Sequence, residues 1–456
     1  MTASTKAQTL RVLTLAGLTT LNAACTVLGP DYVRPSIDVP AAYKEASGIK
    51  TIAQTPAVST DERWWGLYND SELDQLIAQV EVQNYSLQAV EARARQARAL
   101  TEVSKAAQYP TVVAGGKNDL GLLVNWEIDL WGRIKRNIEA SGASAQASVA
   151  DLAAVKLSLQ AQLAQNYFLL RVQDAVIRLL QDTAVSYERS LQITRNQYNA
   201  GVTDRGNIMQ AQTQLSVAQA QMHDARITRA QLEHAIAVLI GKAPADFSFA
   251  IAPIGANVPE VPPALPADLL ERRPDIAAAE RRMAAASARI GETEAAGYPS
   301  LNLFAGVSIR KGLLGGSDIM APLYSGGSPQ ARRTQASAAY DEAIADYRQT
   351  VLNGFREVED NLAALQILDE ASGAQTEAVK AARGAVTITD NQYRAGIVNY
   401  QSMIIVQNTA LNNERAALSI LGRRLVASVT LIKALGGGWQ ADALEDADAP
   451  EAAKNQ

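Results

Sequence analysis

Between residues 133 and 198 apolar side chains return every three or four positions. Leu152, Val155, Leu159 and Leu163 mark the run, with Ala, Gln, Ser and Asn between them. That spacing lays one narrow apolar stripe along a helix. A helix of this length extends roughly 90 Å at 1.5 Å per residue, which no globular core needs. The pattern returns over 328–393, and shorter helical patterns cover 72–108, 207–240, 274–296 and 399–434. Two stretches have strand character instead, 111–128 and 300–324. In the second, Leu301, Leu303, Ala305, Val307 and Ile309 share one face, and Asn302, Phe304, Gly306, Ser308 and Arg310 the other.

The order of elements occurs twice because the chain repeats itself. NQYNAGV at 196–202 is matched by NQYRAGI at 391–397, an offset of 195. Gly132 pairs with Gly327 and Gly241 with Gly436 at that offset, whereas Tyr109-Pro110 pairs with Tyr298-Pro299 at 189. The six-residue difference falls in the strand region, where loops absorb length changes. The Pro-rich stretch APIGANVPEVPPALP at 252–266 joins the copies. The division that follows is a leader at 1–24, an N-terminal segment at 25–70, a first repeat at 71–251, a linker at 252–267, a second repeat at 268–439 and a polar tail at 440–456.

Each heptapeptide reads as a helix end. Gly201 and Gly396 suit the left-handed residue that closes a helix, with Tyr198 and Tyr393 in the last turn. Val202 and Ile397 then stand where an apolar residue packs back beyond the cap. The two motifs are therefore the tips of two antiparallel helical hairpins, and the strand pairs lie at the opposite end. One hairpin of strands per half gives four strands per chain, too few to close without exposed edges. Three copies would supply twelve. Only 15 residues separate Pro110 from Trp126, which makes the first strand hairpin short for a membrane crossing at about 9 to 11 residues per strand.

Composition narrows the function. Of the 456 residues, aromatics make up only 5 % while hydrophobics reach 48 %, so the apolar material is small and helix-prone. The formal charge is -5 with no basic block, which argues against nucleic acid as partner. One cysteine excludes an intrachain disulfide. His223 and His234, eleven residues apart on a helix, would stand about 16 Å apart, too far to share a metal. No Ser-His-Asp set assembles, Glu357 and Glu359 lie in a polar helix, and the glycines of 436–438 lack the strand and helix of a phosphate loop. Nothing points to an enzyme, a metal or a soluble cofactor.

At the N-terminus Lys6 and Arg11 precede an apolar run from Val12 to Leu21, then small residues and Cys25. This reads as a secretory signal, too short to be a spanning helix. Cleavage before Cys25 would leave its thiol and amine for lipid attachment, although Asn22 replaces the usual aliphatic residue three positions earlier.

Taken in order, CTVLGPDYVRP at 25–35, Trp64-Trp65, WEIDLWGR at 126–133, LLERRPDIAAAERRM at 269–283, YRAGIVNY at 393–400 and ALGGGW at 434–439 resemble the outer membrane efflux channels of the TolC type. The resemblance is to the lipoprotein branch that serves resistance-nodulation-division pumps. The resemblance implies a mixed α/β membrane protein and a homotrimer. Its twelve-stranded β-barrel would sit in outer membrane lipid, continued by a long periplasmic α-helical barrel. It implies a passive duct, a covalent lipid on Cys25, and as partners a periplasmic adaptor and an inner membrane transporter.

Against that frame Trp126, Asp129, Trp131, Gly132, Arg133 and Gly327 stand at the barrel-to-helix junction. Gly132 can make the bend and Asp129 can accept helix-start amides. Tyr198, Gly201, Val202, Tyr393, Gly396 and Ile397 would form the tip turns and adaptor contact. Asp204, Arg205, Asp390 and Arg394 are gate candidates, through a ring of like charge or through ion pairs between helices. Ile405 stands where the family often carries an acid, which raises an apolar constriction as the other form of gate. Arg272, Arg273, Pro274 and Asp275 open the second repeat as a scaffold signature, the arginines reading either as anchors to a neighbouring subunit or the equatorial sheet or as a solvated charge pair. The competing function is a periplasmic coiled-coil scaffold or adaptor-like protein with no membrane-spanning barrel.

Overall fold

The computed structural model describes residues 27–48, 63–115, 121–255, 257–259, 266–308, 312–322, 324–442 and 444. Helices α1 (Ser71–Gln83) and α2 (Tyr85–Ala106) lead into strands β1 (Thr111–Gly115) and β2 (Gly121–Ile128), then α3 (Arg133–Asn199) and α4 (Arg205–Leu239). After one helical turn at Leu269–Arg272 the series continues as α5 (Pro274–Ala295), β3 (Ser300–Ser308), β4 (Gly312–Met320), α6 (Ser328–Arg394) and α7 (Tyr400–Ala434). The three longest helices match in length between the halves: α3 and α6 have 67 residues each, α4 and α7 have 35, and α2 and α5 have 22. At 1.5 Å per residue the long helices reach roughly 100 Å.

One expected helix is two. The stretch 72–108 breaks at Asn84, whose ψ of 116° leaves the helical region. Its side chain explains the break, because Oδ1 accepts from the Leu87 amide at 2.9 Å and Nδ2 donates to the Leu239 carbonyl at 2.7 Å. Asn84 thus caps the start of α2 and the end of α4 together. Just beyond α4 the backbone of Gly241 approaches so closely that a Cβ there would lie 2.3 Å from the Gln83 carbonyl oxygen. The second half repeats the clamp with different chemistry. Arg273 donates to the Ala434 carbonyl at 3.1 Å, and a Cβ on Gly436 would lie 2.1 Å from the Arg272 carbonyl oxygen. Arg273 is therefore buried, not solvated as its sequence context suggested, and it also pairs with Asp275 and Glu357.

The single narrow stripe expected of α3 is another correction. Four helices, α2, α4, α5 and α7, pack around α3, so Ala150, Gln160, Leu163, Ala164, Phe168 and Leu170 are all buried on several faces. Small residues permit this close approach. The main core lies midway along the bundle, where Trp64, Trp65 and Tyr68 meet Tyr167, Phe168, Leu425 and Val429. Beside it Arg171 binds Asp174, Glu72 and the Ala250 carbonyl, and Arg229 binds Asp174, Glu233 and the Phe249 carbonyl. These pairs fasten the start of the inter-repeat linker to the helices. The tail is not wholly polar in its role: Leu444 is buried against Ala150, Ala277 and Ala278.

The strands form one antiparallel sheet in the order β1-β2-β3-β4, with β1 and β4 as open edges. Val124 lies opposite Ala305, which lies opposite Gly315, and Leu122 opposite Val307 opposite Leu313. Residues directly opposite share a face. One face therefore carries Val112, Ala114, Leu122, Val124, Trp126, Ile128, Leu301, Leu303, Ala305, Val307, Leu313 and Ile319, with Gly315 and Ser317 between the last two. The other mixes Thr111, Asn125, Glu127, Asn302, Ser308 and Asp318 with Val113, Leu123 and Phe304. Ile309 and Arg310, expected on opposite faces of the strand, lie outside the described residues.

Candidate functional site at the hairpin tips and barrel junction

Both tips end in the same motif. Gly201 and Gly396 each have φ of 72°. The Val202 amide donates to the Gln197 carbonyl at 2.9 Å and the Ile397 amide to the Gln392 carbonyl at 2.9 Å, with the glycine amides donating to Tyr198 and Tyr393. This double bond pattern satisfies the helix-end carbonyls. The packing-back expected of Val202 and Ile397 does not occur, since each is 72 % exposed. Both project apolar surface from the ends of the hairpins.

The identical turns sit in different surroundings. Tyr393 is buried, while Tyr198 is 43 % exposed. The Tyr393 hydroxyl lies 2.9 Å from Thr194 Oγ1 and donates to Gln197 Oε1 at 2.9 Å, both on α3. Around it gather Tyr400, Tyr187, Leu191, Met403 and Ile404, closing the two hairpins against each other. Tyr187 donates to Asn408 Oδ1 at 3.0 Å. Burial raises the pKa of Tyr393 and Tyr400 and pushes that of Tyr187 up to about 12, so all three remain neutral at physiological pH. Sequence reading did not find Thr194, Gln197, Tyr187 or Tyr400. A signal existed: Tyr400 brackets the second turn, whereas Arg205 stands at the matching position of the first.

The charged gate candidates separate. Asp204 caps α4, accepting from the Asn207 amide at 3.2 Å, and Asn399 does the same for α7 through Ser402. Arg205 is the exposed first residue of α4. Asp390 and Arg394 pair at 2.7 Å within one helix rather than between helices. They border a groove of about 1040 Å³ between α3 and α6, floored by α7 residues such as Leu411 and Leu418. Ile405 is exposed, unlike its buried neighbour Ile404.

At the other end the junction residues come together. Gly132 (φ 77°) and Gly327 (φ 82°) start α3 and α6 in the left-handed region. Asp129 accepts from the Lys135 amide at 2.8 Å, and Arg133 grips both oxygens of Glu127 at 2.8 Å. Trp126 donates to the Gln108 carbonyl, and Trp131 donates to the Pro299 carbonyl while its ring lies 4.9 Å from that of Tyr298. The N-terminal segment docks here as well. The Leu28 amide donates to Trp131, and Arg136 holds the Leu28 and Gly29 carbonyls and Asp31. Among the described residues no cluster of His, Cys, Asp or Glu could hold a metal ion, and His223 and His234 are both exposed. No described helix is long and apolar enough to cross a membrane.

The family model for the outer membrane efflux protein matches residues 76–242 and 265–437, one match per repeat. The chain belongs to the outer membrane efflux protein family. It is 28 % identical to the toluene efflux pump outer membrane protein TtgC of Pseudomonas putida, over 94 % of this chain and 96 % of that one. It is 26 % identical to the probable outer membrane lipoprotein SilC of Salmonella typhimurium, over 91 % and 96 %. The solved structure of the outer-membrane channel OprN superposes with a TM-score of 0.81 at 29 % identity, covering 91 % of this chain and 99 % of that one. The fold is thus that of the TolC-type channels, a small antiparallel sheet continued by long helical hairpins, and the protein is a passive channel rather than an enzyme.

Proposed function

We propose that the protein is the outer membrane duct of a tripartite efflux pump. Three chains pool their sheets into a twelve-stranded barrel, and the long hairpins carry solutes from a periplasmic adaptor and a resistance-nodulation-division transporter. The observation that carries this reading is the apolar sheet face. Val112, Leu122, Val307, Leu313 and Ile319 on it are 62 %, 51 %, 50 %, 84 % and 73 % exposed in the single chain. Water would disfavour such a contiguous face, and lipid favours it. A periplasmic scaffold with no membrane contact would leave it uncovered.

The tips supply the adaptor contact through exposed Val202 and Ile397, and Asp390, Arg394, Asp204, Arg205 and Ile405 tune the opening. A diacylglyceryl group on Cys25 supports the same placement. Val27, two residues on, lies against Gly132, where a Cβ would come within 2.7 Å of it, so the lipid would enter the membrane beside the junction. Likeness to a probable lipoprotein favours this reading.

Expression beside a cognate adaptor and transporter, in cells lacking their own efflux ducts, tests the proposal. Restored resistance to a hydrophobic antibiotic is expected, and the Val307→Asp variant loses it. Protein recovered in the soluble periplasmic fraction, with no resistance, would overturn it. Labelled palmitate should enter the wild type and not the Cys25→Ala variant.

A further inference from the structure

Along the helical hairpins the tandem halves meet at one seam inside the chain, beyond the sheet pairing of β2 with β3, and the repeat writes the same seam a second time with no partner in the chain. Within the chain, the second half covers one side of α3. That seam buries Tyr393 and Ile404 of the second half and Leu157 of the first, at 4 %, 8 % and 8 % exposure. The residues 195 positions away are the reverse image. Tyr198 and Met209 of the first half are 43 % and 51 % exposed, and Leu352 of the second is 57 % exposed.

The polar part of the seam is duplicated too. Tyr393 closes on Thr194 and Gln197, and the sequence ITRNQYNAG at 193–201 returns as ITDNQYRAG at 388–396. Tyr198 therefore has its own Thr and Gln counterparts, Thr389 and Gln392. None of these three side chains makes a hydrogen bond among the described residues, and Thr389 and Gln392 are only partly buried. A chain has two halves and uses one seam internally. In a closed ring the first half of one copy must meet the second half of the next.

We propose that Tyr198 of one protomer closes on Thr389 and Gln392 of the following protomer, so that the seam between subunits repeats the seam within the chain and ends in a tyrosine latch at the periplasmic tip. The occupant of this surface is a second copy of the chain. The inference rests on the trimeric reading above and adds the residues that hold each subunit boundary shut. Met209 and Leu352 are covered on the same docking, because they lie on the faces whose counterparts Ile404 and Leu157 are covered within the chain. Six equivalent latches then ring the tip, three inside chains and three between them.

Thiol cross-linking of the full-length protein in membranes tests the latch. The pair Tyr198→Cys with Thr389→Cys, treated with a short bis-methanethiosulfonate, should give covalent dimers and trimers on a non-reducing gel. The pair Thr194→Cys with Tyr393→Cys should consume its thiols yet remain at the mass of one chain. Each single variant measures any background, including that of Cys25. Trimers of normal mass in which the first pair stays at the mass of one chain would overturn the latch while sparing the trimer. A protein with no trimer by mass would overturn both.

Discussion

At the scale of single residues, the tip glycines and the tyrosines beside them obey different physics. A Cβ on Gly201 or Gly396 would meet no atom within 4 Å, so any substitution there strains only the backbone. Gly396→Val should cost about 1 to 3 kcal/mol. Gly396→Asn should cost much less, because Asn visits the left-handed region. Thermal unfolding in detergent separates the two, and equal losses would show that something other than φ constrains the turn. The tyrosine cluster makes a pH prediction. Tyr187 rises from 10.0 to about 12 on folding, so the protonated phenol is the form the folded state favours. Its stabilising contribution is complete below pH 10 and is lost as pH climbs through about 12. A spin label near Leu191 should stay immobile to pH 10 and gain mobility above it, and Tyr187→Phe should remove that part of the transition. The turns were legible in the sequence because a glycine in a helix end needs no tertiary partner. The contrast between buried Tyr393 and exposed Tyr198 was not, because two identical heptapeptides take their surroundings from neighbouring helices.

At the scale of elements, the duplicated clamp between α4 and α2, and between α7 and α5, makes a paired prediction. Asn84→Ala removes a helix cap and the donor to Leu239, which should cost about 1 to 2 kcal/mol. Arg273→Ala leaves the Ala434 carbonyl without its donor and frees Asp275 and Glu357. Since both carboxylates are more than one third exposed, most of the expected loss of about 1 to 3 kcal/mol comes from the carbonyl. Chemical denaturation in detergent should show both variants unfolding earlier, and an unaffected Asn84→Ala protein would contradict the clamp. The ends of α3, α4, α6 and α7 fall within two residues of their sequence expectations, since long periodic runs bounded by Gly or Asn state their own limits. The break at Asn84 was hidden because no Gly or Pro marks it. Its cause is a hydrogen bond to a carbonyl 155 residues away. The broad burial of α3 was hidden for a related reason: alanines read as weakly apolar and show little until several helices close on them.

At the scale of the whole molecule, length, duplication and open sheet edges converge on a ring. The expected alternation of Leu303, Ala305 and Val307 is realised in a register that extends it across all four strands, from Val112 to Ile319. The sheet order was not readable from the alternation alone, because β2 and β3 belong to different repeats and pair only after the halves fold together. The central claim is that three copies make one continuous aqueous duct through a lipid bilayer. Purified protein of trimeric mass, added to a planar bilayer, tests it most directly. The account predicts discrete conductance steps of uniform size from the trimer, absent from a Val307→Asp protein that cannot insert. A trimer that binds the bilayer yet never conducts, under any voltage or with the tips loosened by Tyr198→Phe and Tyr393→Phe together, would contradict it.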